Sequence, residues 1–368
     1  MNHIYNYLLL TLCVLQMGSM QVVSQNKLFT VEKDNSWGYA SLSGETIVEP
    51  QYTYAHYFSE GLAPVAIDQR FGYVDENGEM AIRPQYDGVG NFSSGLAPVK
   101  VGEKWGYINT DGRMIIQPQF EEAWFFYDAV APVKEGGKWG FINKAGHWVI
   151  RPKFDKVTPF ADGMSRVQIK GKYGFVDQFG QLIVSADYDQ AEDYTQRLAR
   201  VCVDDLWGFI DDYGEVVVEP QYVAVQAYSD SLAAVRVNGL WGYIDLFGQM
   251  VIQPRFTQVS GFHNDMARYA EGGLWGYIDH RGEVAIPAQY FKAGDFYHGL
   301  APVWQDGKWG FISKEGRLVI PFIYDDVSTF SQGMARVRIG NSWGVIDRVG
   351  NYILPMEYTE IKLPNKES

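Results

Sequence analysis

Short apolar runs alternate with turn residues along this chain, and the alternation repeats. An aromatic-glycine pair begins at Trp37, Phe71, Trp105, Trp139, Tyr173, Trp207, Trp241, Trp275, Trp309 and Trp343, each 34 residues from the next. Four residues after the aromatic stands Asp, Asn or Ser, and seven after it stands glycine in all ten copies, among them Gly78, Gly112 and Gly248. A short acceptor side chain followed three residues later by glycine predicts a type I turn closed by a left-handed residue, hence a hairpin. Its first strand is a run such as residues 241–245. Its second is an apolar triplet, as at 114–116 or 216–218, ended by proline in nine copies. Uninterrupted triplets predict strands covered on both faces. An aromatic follows fifteen residues after the first, another stands six beyond that, and a third run of the form Gly-Leu-Ala-Pro-Val appears at 61–65, 95–99 and 299–303. Each unit therefore reads as three antiparallel strands. The glycine inside the first strand predicts a close approach there, with one of the repeated aromatics lying against it.

A unit of 34 residues is too small to bury its own apolar face, so the copies must stack and share a core. Radial closure is familiar for about four to eight four-stranded blades. Ten three-stranded units, with no blade visibly split between the chain ends, favour an all-β repeat array forming an open, curved β-solenoid. A closed propeller-like ring is the alternative. The expected organisation is a signal peptide at 1–24, one elongated repeat domain at 25–360 and a short tail at 361–368.

Composition narrows the class. Hydrophobic residues make up 46% of the 368-residue chain, which excludes wholesale disorder, and the net charge of −13 disfavours a phosphate backbone as partner. No charged side chain precedes Lys27, and residues 7–17 are nearly all apolar. That segment reads as a secretory signal too short to span a bilayer, predicting an exported protein that is periplasmic, extracellular or attached to the cell surface, with no transmembrane segment in the mature chain. Removal of Cys13 with the signal leaves Cys202 alone, between two valines in a predicted strand, as an inert thiol.

The recurring Lys-Trp-Gly-aromatic-Ile-Asp/Asn run, at 104–109, 138–143 and, with serine last, 308–313, resembles the bacterial WG (KWG) repeat family over residues 28–360. The resemblance implies an often exported β-repeat protein that serves as an interaction module without catalytic residues. A more distant similarity to cell-wall-binding hairpin repeats implies glycan held between stacked aromatics.

Motifs for chemistry do not survive the repeat register. Gly340-Asn341-Ser342-Trp343-Gly344 has the spacing of a nucleophile elbow, but the equivalents of Ser342 include Ser36, Lys104, Lys172 and Leu206, and no helix is predicted to follow. The acidic turns at 75–78 and 109–112 are hairpin turns rather than calcium loops. Gly136-Gly137-Lys138 lacks the rest of a phosphate loop, and the six histidines form no metal-ligand spacing. Paired carboxylates such as Glu121-Glu122 and Asp325-Asp326 fall on variable loops and read as solvated turn residues, with an acid/base pair for glycoside hydrolysis as the least favoured function. An aromatic excess at Trp124-Phe125-Phe126-Tyr127 is different: only Phe126 occupies a repeat position, so Trp124, Phe125 and Tyr127 form the candidate binding patch. The expected function is a non-catalytic module that binds a protein or cell-envelope component and needs no cofactor or metal. Carbohydrate binding in aromatic slots between repeats is the alternative.

Overall fold

The computed structural model describes residues 28–364, so the expected signal segment and Cys13 lie outside the described residues. Every element within it is a strand, and no helix is long and apolar enough to cross a membrane. The second blade shows the plan: a short strand Tyr54–Ala55, then Leu62–Ile67, Arg70–Asp75 and Met80–Tyr86, antiparallel and hydrogen-bonded in chain order. The unit is thus four-stranded rather than three-stranded. The fourth member escapes the hydrophobic pattern because it is two residues long, directly after the repeated aromatic. In the seventh and eighth blades it shrinks to single bridges, Val225 to Val235 and Val259 to Tyr269.

The first blade is split. Leu28–Lys33, Ser36–Ser41 and Thr46–Tyr52 lack a preceding short strand, and Glu360–Lys362 from the far end of the chain supplies it, with Val31 facing Ile361. Ten buried apolar clusters fill the ten junctions between successive blades. One joins Phe29, Val31 and Ala40 of the first blade to Val345, Leu354 and Tyr358 of the last. An open stack of ten units has nine junctions; the tenth makes this a closed ring. The open solenoid is corrected accordingly, and residues 361 and 362 belong to the closing strand instead of a tail.

Local chemistry explains each hairpin. The N–H of Gly78 donates to the Asp75 carbonyl at 2.9 Å, while Asp75 Oδ1 accepts from the amides of Asn77 and Glu79 at 3.0 and 2.8 Å. Gly248, at φ +77°, adopts the left-handed conformation the turn requires, and its hairpin seats on Val218 of the preceding blade. The glycine of each aromatic-glycine pair is needed for another reason. Trp105 pairs with Phe120 and Tyr107 with Ile116, so the fourth strand bulges opposite Gly106, and a Cβ there would strike the Ile116 carbonyl and the Pro118 nitrogen. The close neighbour is backbone, not the aromatic ring expected.

The fourth strands are not covered on both faces. In Met114–Phe120 burial alternates, leaving Ile115 exposed while Ile116 is buried, because this edge strand shows one face to solvent. The residue two after each motif aromatic, Tyr or Phe in nine blades and Val345 in the tenth, is fully buried. Tyr107 stacks edge-on against Phe126 at 4.9 Å, and its hydroxyl donates to the Trp124 carbonyl at 2.7 Å.

Candidate functional site

Those Tyr107 contacts also set the backbone of the aromatic excess. Trp124 and Phe125 follow the short strand Glu122–Ala123 and, with Val89, Pro98, Trp105 and Pro159, line an open cleft of about 430 Å3 on blades three to five. Missing side chains create it. At Gly90, where the flanking repeats carry His56 and Trp124, a Cβ would lie 2.7 Å from the Pro98 ring; at Gly88 it would meet the Trp105 ring at 3.3 Å. Trp124 leans on Trp139 with ring centroids 5.0 Å apart, and Phe125 is 42% exposed. Glu122, the one charged lining residue, pairs with Lys134 at 2.7 Å.

Of the three predicted patch residues, Trp124 and Phe125 meet in this cleft and Tyr127 does not. Tyr127 stacks on Phe160 at 5.1 Å with the rings 17° from parallel. Trp105, Pro98 and Pro159 were missed, and the glycines at 88 and 90 were the readable signal. The motif tryptophans at 37, 105, 207, 241, 275, 309 and 343 are partly buried, and Trp139 is buried.

The carboxylate candidates are occupied by the ring itself. Glu121 accepts from the amides of Gly136 and Gly137 at 3.0 and 2.9 Å. Asp325 pairs with Lys308 at 2.5 Å and takes the Gly340 amide at 2.7 Å; Asp326 pairs with Arg338 at 3.4 Å. Ser342 sits inside strand Ser342–Asp347, facing Ile339 across the hairpin. Cys202 is buried, and burial pushes its thiol pKa up, as suits an inert group.

Asp230, Asp265 and His280, far apart in sequence, come within 4.8 Å of one another. Their contacts define an ion network. Asp230 accepts the Asp265 amide at 2.9 Å, and Lys314 lies 2.9 Å from Asp265, holding its carboxyl below the usual range. The ring nitrogen of His280 nearer Asp265 is Nδ1. A metal there would need Nε2–H buried without an acceptor, since among the described residues Nε2 has no hydrogen-bond partner.

Among solved structures, the chain is similar to one titled as a eukaryotic initiation factor, with TM-score 0.49, 13% identity and coverage of 94% of this chain and 100% of that one. BamB from Moraxella catarrhalis matches with TM-score 0.33, 10% identity and coverage of 78% and 94%. Hsv2 from Kluyvelomyces marxianus matches with TM-score 0.37, 9% identity and coverage of 60% and 89%. None of the curated proteins matches in sequence. The model of the WG containing repeat matches ten times in succession, from residues 37–70 to 343–367. The chain belongs to the WG-containing repeat family.

Proposed function

We propose that this protein is an exported, non-catalytic binding ring that holds a partner protein or a proteinaceous cell-envelope component. The cleft at Trp105, Trp124 and Phe125 carries the reading. It is apolar and aromatic, its single carboxylate is already paired, and it offers a surface that loses water favourably against an apolar segment. The candidate carboxylates Glu121, Glu122, Asp325 and Asp326 are tied up within and between blades, which supports binding over hydrolysis. The acidic surface supports a partner other than nucleic acid.

Carbohydrate between aromatics of adjacent repeats fits less well. The ring pairs in contact across blades have centroids 4.7 to 5.9 Å apart and admit no sugar between them, and the open cleft offers a sugar's hydroxyls a single carboxylate, already paired. The test places a photocrosslinking residue at Phe125 in the full chain and applies it to envelope extract, beside a glycan array. A discrete protein adduct that Trp124→Ala abolishes, with a blank array, is the expected outcome. Glycan binding with no protein adduct would overturn it.

A further inference from the structure

A second apolar cleft, of about 390 Å3, opens on the sixth blade where it meets the fifth. Val203, Leu206, Val216 and Pro220 line it, and the carboxylates of Asp204 and Glu219 stand at its walls. Val203 and Val216 are exposed although each belongs to a strand, Leu198–Val203 and Val216–Tyr222.

The charge around this cleft is one-sided. Residues 185–220 hold ten Asp and Glu against two Arg and no Lys, a net −8 in a chain whose total is −13. Part of that charge is used structurally. Asp189 pairs with Lys172 at 2.5 Å and Asp212 with Arg197 at 2.6 Å, while Glu192 and Asp193 each lie 3.3 Å from Arg166. Asp187, Asp204, Asp205, Glu215 and Glu219 are exposed and, among the described residues, have no cation within 4 Å. Asp204 and Glu219 line the same cleft, and like charges on one surface favour a cationic partner over an anionic or neutral one.

We infer that this cleft docks a cationic segment of a partner protein, in which Lys or Arg side chains flank an apolar one. The apolar side chain covers Val203, Leu206 and Val216, and the flanking cations meet Asp204 and Glu219. Exposed pairs of this kind add little affinity singly, but together they steer the partner in and select its sign. The surface shares no residue with the aromatic cleft on blades three to five.

The probe is a short fluorescent peptide of alternating Lys and Leu, with Glu-Leu and all-Lys peptides of equal length as comparisons, titrated onto the full chain by anisotropy. The Lys-Leu peptide is expected to bind most tightly and the Glu-Leu peptide not at all. Affinity should fall roughly tenfold or more as salt rises from about 0.05 to about 0.5 M. Asp204→Asn with Glu219→Gln should weaken binding about tenfold, as should Val203→Ser with Val216→Ser, all with unchanged melting, while Trp124→Ala leaves it intact. Equal binding of the all-Lys peptide, binding of the Glu-Leu peptide, no saturable binding of the Lys-Leu peptide, or indifference to either double variant would each overturn the proposal.

Discussion

The cation ahead of several aromatic-glycine pairs ties two blades through one carboxylate. Arg70 reaches Asp87 at 2.5 Å, and the other oxygen of Asp87 accepts the amide of Gly102, in the turn of the next blade, at 2.7 Å. The same device joins Lys172 to Asp189 and the Asp204 amide, Lys308 to Asp325 and the Gly340 amide, and Lys138 to Asp155 and the Lys170 amide. The lysine was legible in the motif; its partner was not, because 17 residues of strand and turn separate them. For that reason Asp325 read as an acid/base candidate. The lysine, and secondarily the amide, holds the carboxyls of Asp155, Asp189 and Asp325 below their ordinary 3.8. A pKa depressed on folding contributes stability that is present above the unfolded value and lost as pH falls through the folded one. Melting temperature should therefore hold down to about pH 4 and drop below 3.8. Changing all three residues to Asn should lower it above that pH and flatten the acid decline; a parallel curve would remove the clamp.

At the scale of elements, the hairpins were the most legible part of the fold, since turn chemistry is local. Their glycines, acceptor side chains and prolines each mark one position of a strand or turn. The short strands were hidden because two residues carry no period, and the fourth strand misled because its exposed face is also apolar, as at Ile115 and Val216. At the site, Trp124 and Phe125 stood out as additions to the repeat. The cleft beside them comes from side chains that Gly88 and Gly90 lack, and an absence shows only against the neighbouring units. The closing strand gives a sharp energetic contrast. Ile361 is fully buried between the first and last blades, so Ile361→Ala should cost about 2–5 kcal/mol. Ile115→Ala, at an exposed strand position, should stay within about 0.5 kcal/mol. Urea unfolding of both variants checks this, and equal losses would mean that the C-terminal strand does not complete the first blade.

At the scale of the molecule, the repeat period is silent on closure, because an open array and a ring have the same spacing. The decision lies in two fragments at opposite ends: a first blade without its short strand, and a short strand at 360–362 without a blade of its own. Each leaves apolar surface bare that the other covers, and Lys362, 4.2 Å from the centre of the Trp37 ring, adds a cation–π contact to the seam. Spin labels at Glu32 and Glu360, which face each other across that seam, measure the closure directly by electron–electron distance. The ring predicts one narrow distribution below about 25 Å, the roughly 5 Å of a cross-strand pair plus two label tethers. An open array of ten sheets about 10 Å apart would place the labels on the order of 90 Å from each other, and a distance of that size would contradict the closed ring.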